Sequence, residues 1–183
     1  MDAHKAFTSS YECISLALKN TTSVIYGDRS CTCDAQWDTG ASGTCISETV
    51  VSKLGLVATG KKTILTPSGK TKVNTYLINI LLPNDVLISD IEVCDSHIGE
   101  QGIDMLVGMD IISQGDFAVS NHNGRTFFSF RLPSVKRTDY VLEANIGKTI
   151  GPRHGKGTKK HRYNQRLTEF HQAFLLPFVA TVL

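Results

Sequence analysis

The sequence predicts an all-β domain. Between residues 11 and 131, short segments rich in Val, Ile, Leu, Thr and Phe recur at close intervals. Gly, Pro, Asn and Asp separate them, and helical periodicity is scarce throughout the stretch.

In chain order, strands are expected over residues 12–18, 24–26, 31–38, 62–66, 71–82, 86–94, 105–107, 117–120 and 125–131. The third of these shows the pattern well, because Cys31-Thr32-Cys33-Asp34-Ala35-Gln36-Trp37 alternates in character and successive side chains of a strand point to opposite faces. Turn chemistry predicts two hairpins. In Thr66-Pro67-Ser68-Gly69, the fixed φ of Pro67 suits the second residue of a type I turn and Gly69 suits the fourth. Asn123-Gly124 tolerates positive φ at both positions and lies between apolar segments. Short helical turns are expected over residues 48–54, stopped by Gly55, and 110–113, stopped by Gly115.

A chain of 183 residues fits one domain of ordinary size plus a tail. With 41% hydrophobic and 20% charged residues it has the composition of a globular protein. Nineteen basic against seventeen acidic side chains leave +2, too little to imply nucleic acid as a partner. Met1-Asp2-Ala3-His4-Lys5 lacks the features of a secretory signal, so a cytoplasmic location is expected. Five cysteines without CxxC spacing (Cys13, Cys31, Cys33, Cys45, Cys94) argue against a disulfide framework and against structural zinc. They read as reduced thiols, mostly buried, and no metal or cofactor is expected.

Composition shifts after about Tyr140. Residues 148–166 hold seven Lys or Arg and two His, with glycines between them and no apolar face to pack, the pattern of a flexible basic tail. Residues 170–183 are apolar but interrupted by Pro177 and shorter than the ~20 residues a membrane-crossing helix needs, which leaves a docking segment or a peripheral membrane contact open. The expected division is an N-terminal extension or interface strand over 1–23, a main domain over 24–140 and the tail over 141–183.

Asp38-Thr39-Gly40 is the motif with chemistry in it. An alternating strand delivers the Asp to a tight turn, where backbone donors can hold its carboxylate and Gly40 lets a second backbone approach. The reaction this suits is attack of water on an amide. Two carboxylates that share one proton can divide the work, one as general base on water and the other hydrogen-bonding the carbonyl oxygen. The chain holds Asp-Thr-Gly once, so the pair implies a symmetric homodimer with the twofold axis between two copies of Asp38. The plainer alternative for Asp38 is a turn Asp that bonds its own backbone. For Asp104 and Asp110, capping or orienting a short helix is favoured. Trp37 reads as packing, and His97, His122, His154 and His161 as surface residues.

Asp38-Thr39-Gly40-Ala41-Ser42, followed 68 positions after Asp38 by Leu106-Val107-Gly108, resembles the retropepsin family of aspartic peptidases. The stretch from Asp104 through Leu106-Val107-Gly108 to Ile112 is similar to the cellular and bacterial single-domain forms in particular. The resemblance covers roughly residues 24–131. It implies a closed β-barrel of the acid-protease fold with a flap hairpin and one short helix, half a site per chain. It also implies roles. Asp38 matches the catalytic carboxylate, Thr39 the residue gripping the neighbouring subunit's loop, and Gly40 and Ala41 the turn. Leu106, Val107 and Gly108 match the motif behind the loop, and Thr66, Pro67, Ser68 and Gly69 occupy the flap tip over substrate. That tip has one glycine and one proline where viral members have several glycines. The function implied is an aspartic endopeptidase acting on peptide or protein substrates. The alternative is a catalytically silent binding or scaffolding module of the same fold with a basic tail.

Overall fold

The computed structural model describes residues 5–66, 69–83 and 85–149. Contacts divide the chain after Arg137 into two units, and all described strands belong to the first. They are β1 (Lys5–Ser10), β2 (Leu18–Tyr26), β3 (Arg29–Trp37), β4 (Cys45–Ser47), β5 (Gly60–Thr66), β6 (Gly69–Leu81), β7 (Leu87–Ser96), β8 (Met105–Val107), β9 (Asp116–His122) and β10 (Arg125–Leu132). Two short helices interrupt them, α1 (Glu48–Leu54) and α2 (Met109–Ile112), with a 3₁₀ turn at His97–Gln101.

The larger sheet runs β2-β3-β8-β4-β7-β6-β5 and bends back on itself, because β2 also pairs with β6 through Ser23↔Leu81, Val24↔Ile80 and Ile25↔Asn79. Six strands thus form a closed barrel, and β5 extends from it as the outer strand of a hairpin with β6. Closure removes the unpaired edges that an open sheet would expose. Val24, Ala35, Ile46, Ile80, Val93, Met105, Val107 and Ile111 fill the interior and are wholly buried.

The second sheet, β1-β10-β9, supplies an aromatic cluster. Phe7, Phe117, Phe128 and Phe130 surround Trp37, the last residue of β3, with ring centroids 5.0–5.8 Å from the indole. The Trp37 Nε1–H donates to Asn20 Oδ1 at 2.7 Å, which satisfies its one polar atom. Trp37 is therefore a packing residue, and it fixes the end of the strand that leads to Asp38.

Two strands stand where the sequence predicted none. Residues 12–17 are irregular, and the N-terminal strand lies instead at Lys5–Ser10. That strand exists through pairing with β10, where Phe7 faces Phe130 in register, although its composition is mostly polar. The loop after it folds around Thr126: the Ser15 N–H donates to Thr126 Oγ1, and the Thr126 N–H to the Cys13 carbonyl. Strand β4 was not expected either. Its three residues are strand only because β7 and β8 flank them.

α1 forms where expected. The Ser47 hydroxyl accepts the Val50 N–H, Glu48 stands in the first turn, Lys53 in the last, and Gly55 ends the helix at φ 54°. The Asn123-Gly124 hairpin also forms, with φ of 51° and 75° and His122 facing Arg125. In the second unit a helix, α3 (Tyr140–Thr149), stands where the tail was expected to begin. The Asp139 carboxylate caps it by accepting the Val141 and Leu142 N–H groups at 3.1 Å each. The remainder of the expected basic and apolar tail, from residue 150, lies outside the described residues.

Candidate active site

β3 ends at Trp37, paired in parallel with Val107 of β8, and the chain turns at Asp38. The Asp38 N–H donates to the Val107 carbonyl at 3.0 Å, one last rung of the ladder. The Gly40 N–H then donates to Asp38 Oδ1 at 2.7 Å, and the Ala41 N–H to the Asp38 carbonyl at 3.2 Å. A Cβ on Gly40 would stand 3.1 Å from that same Oδ1, so glycine keeps the turn tight around the carboxylate. Asp38 and Ala41 are half-buried, while Thr39 and Gly40 are exposed. The result is a carboxylate at the surface end of a strand, oriented by its own turn.

The motif Leu106-Val107-Gly108 stands directly behind this loop. Leu106 faces Gln36 on one side and Cys45 on the other, and Val107 receives Asp38. Gly108 is required by close approach rather than by φ, which is −95°. A Cβ there would lie 2.6 Å from both the carbonyl carbon and the oxygen of Gly43, closer than packed atoms come. The Met109 N–H closes the circuit by donating to the Ala41 carbonyl at 2.8 Å.

Thr44 and Asp110 form a brace under the loop that sequence reasoning understated. The Asp110 carboxylate accepts the Thr44 N–H at 2.8 Å, the Thr44 hydroxyl at 2.7 Å and the Ile111 N–H at 3.0 Å. Thr44 Oγ1 in turn accepts the Gly108 N–H at 3.1 Å. Thr44 is fully buried, so these bonds are shielded from water. Asp110 does orient α2, as expected, but it also fastens that helix to the residues following Asp38. Asp104 has a comparable duty, accepting the Asp34 N–H through Oδ2 at 3.1 Å and giving its carbonyl to the Ser47 N–H at 2.8 Å. No sequence signal separates these two acids from other Asp residues near a turn.

The β5–β6 hairpin pairs in register from Gly60↔Thr75 to Thr66↔Gly69, with the Thr66 hydroxyl donating to the Gly69 carbonyl at 3.0 Å. Pro67 and Ser68 lie outside the described residues. A pocket of ≈ 490 Å³ opens beneath the hairpin, between Ile64, Thr71 and Val73 on its strands and Glu48, Asp95 and His97 on the barrel. Asp38 is not among the lining residues. His97 is exposed and pairs with Glu48 at 3.2 Å, and His122 is exposed as well, while His154 and His161 lie outside the described residues.

All five cysteines are free thiols, but only Cys33 and Cys94 are buried. Cys31 and Cys45 are half-buried and Cys13 exposed, which corrects the expectation that most would be interior. Cys45 and Cys94 face each other across β4 and β7. The neighbouring Cys94 thiol, with burial, pushes Cys45 far up, and the nearness of Cys45 draws Cys94 down to about 7. Among the described residues no group of three or more His, Cys, Asp or Glu is placed to hold a metal ion, and no helix is long and apolar enough to cross a membrane.

A closed barrel with an Asp-Thr-Gly turn at a strand end, a Leu-Val-Gly strand behind it and a hairpin above a pocket defines a retropepsin-like domain. Residues 23–111 match the family model described as aspartyl protease. Solved structures with similarity include a retropepsin-like aspartic protease from Rickettsia conorii, at 17% identity over 71% of this chain and 97% of that chain, with a TM-score of 0.47. The simian foamy virus (mac) protease is similar at 18% identity over 52% of this chain and 92% of that one, TM-score 0.38. The EIAV protease complexed with the inhibitor HBY-793 is similar at 18% identity, over 55% and 90%, TM-score 0.40. No curated protein matches the sequence.

Proposed function

We propose that this chain is an aspartic endopeptidase in which Asp38 is the catalytic carboxylate and two copies of the chain complete one active site. The observation that supports this most directly is the seat of Asp38. Its backbone is fastened to Val107, one carboxylate oxygen is held by the Gly40 N–H, and the group stays half-exposed at a strand end. A group meant only to stabilise a turn has no need of the Thr44–Asp110 brace beneath it. With a single Asp-Thr-Gly in the sequence, the second carboxylate comes from a second copy, and exposed Thr39 and Gly40 belong to the surface that meets it.

In the shared site the ionised carboxylate takes a proton from water as the water attacks the scissile carbonyl, and the protonated partner hydrogen-bonds the carbonyl oxygen as it gains charge. Collapse of the tetrahedral intermediate then expels the amine, which takes the proton that the first carboxyl received from water, and the pair is left singly protonated again. An extended peptide lies between the hairpin and the Asp38 loops, held by strand-like backbone hydrogen bonds. The test is digestion of a peptide library with and without pepstatin, beside the Asp38→Asn variant. Cleavage should fall by at least about 10³-fold in the variant, the scale of losing a general base, with its thermal unfolding close to wild type. A variant that cleaves as well as wild type would remove Asp38 from the mechanism.

A further inference from the structure

The hairpin above the pocket is fixed at one junction. β6 pairs with β7 down to Thr75↔Cys94, and from that point to Gly69 its ladder partner is β5. The change of partner falls at Thr75. Asp95, one residue past the end of the β6–β7 ladder, gathers the groups on either side. Its Oδ1 accepts the Asn74 N–H at 2.9 Å, and its Oδ2 accepts the Asn74 side-chain amide at 2.7 Å and the Tyr76 hydroxyl at 3.1 Å. The carboxylate thereby takes the backbone donor immediately beyond the ladder's end. Tyr76 is buried. Burial, reinforced by the Asp95 carboxylate, pushes its phenol up, so it remains a donor. Just before β5, the Thr59 N–H and hydroxyl donate to the Thr75 carbonyl at 2.8 and 3.1 Å.

Asp95 also stands within the barrel proper, facing Ile46 of β4 in register, and β4 is the strand that follows the Asp38 loop. One side chain therefore joins the floor that leads from Asp38 to the root of the hairpin, and it lines the pocket between them. We propose that Asp95 is a positioning residue that sets the hairpin over the pocket and so governs how tightly substrate is held. The effect on substrate rests on the reading of the chain as a peptidase. The effect on the hairpin does not.

The experiment has two arms on the full chain. Hydrogen exchange of the amides of residues 60–66 and 69–75, without substrate, should be at least roughly tenfold faster in Asp95→Ala, which removes the acceptor of three hydrogen bonds, with the rest of the barrel close to wild type. Asp95→Asn keeps an acceptor at Oδ1 and should recover part of the protection. In peptide cleavage, Asp95→Ala should raise KM several-fold and leave kcat within about twofold, the mark of lost binding rather than lost chemistry. Should Asp95→Ala not fold, Tyr76→Phe removes a single donor and decides the matter by the same local exchange. Hairpin amides that exchange at wild-type rates in the variants would overturn the proposal, as would acceleration spread evenly over the molecule or a fall confined to kcat. If the wild type cleaves no peptide, the exchange arm still judges the positioning of the hairpin, and the peptidase reading fails separately.

Discussion

Thr44 is a single buried hydroxyl on which three parts of the candidate site depend. It donates to Asp110, accepts from Gly108, and follows Gly43, whose backbone leaves no room for a Cβ on Gly108. Replacing it with Val keeps the shape but leaves the Gly108 N–H without its acceptor in a dry setting. A buried donor left unsatisfied costs about 1–3 kcal/mol, so Thr44→Val should lose that much stability in urea unfolding, and its peptidase activity should drop as the Asp38 loop loosens. Asp110→Asn retains an acceptor oxygen and should keep measurable turnover. If Thr44→Val unfolds at the wild-type urea concentration, the brace has no energetic weight.

Among the elements, the β9–β10 pair ends in a surface node centred on Asp116. Its carboxylate accepts from the Ser134 hydroxyl at 2.5 Å, from the Val135 and Lys136 N–H groups at 2.9 and 3.2 Å, and from the Arg131 guanidinium, whose Nε lies 3.0 Å away. Arg131 is also its register partner across the strands. The Ser134 hydroxyl first, then the Val135 N–H and Arg131, hold the Asp116 carboxyl far below its usual value of 3.8. A carboxyl depressed by folding lends stability above its unfolded pKa and loses it as pH falls toward the folded one. The thermal midpoint should thus decline below about pH 4. Asp116→Asn should be less stable than wild type at pH 6, with the gap narrowing as the medium is acidified below that point. A gap that stays constant from pH 6 to pH 2 would show that the node acts through shape and not through charge.

For the whole molecule, the half-site argument predicts a dependence on concentration. Specific activity should fall on dilution, and light scattering should show the change from dimer to monomer over the same range. Trp37 adjoins Asp38 in the chain, so its emission offers a third reading of that transition. Full activity per chain in a protein that scatters as a monomer would contradict the assembly, whatever the fate of the Asp38→Asn test.

The sequence by itself determined the all-β class, most of the strands, the helix at residues 48–54 with its Ser47 and Gly55 caps, and the Asn123-Gly124 turn. Each depends on side-chain alternation, capping groups or tolerance of positive φ, which are properties of neighbouring residues. Asp38-Thr39-Gly40-Ala41 and Leu106-Val107-Gly108 were legible for the same reason, as short motifs at a readable spacing. Tertiary structure alone decided what joins distant segments. β1 and β4 are strands because β10, β7 and β8 lie beside them, and a polar hexapeptide or a three-residue segment has no local signal strong enough to announce that. Thr44 and Asp110 lie 66 positions apart, and Asp95 reaches back 21 to Asn74. A hydrogen bond across such a separation leaves no periodic trace in the chain. The β6–β7 ladder sets Asp95 against Asn74, the pairing of β8 with β3 and β4 sets Asp110 beside Thr44, and β2 closes the barrel onto β6.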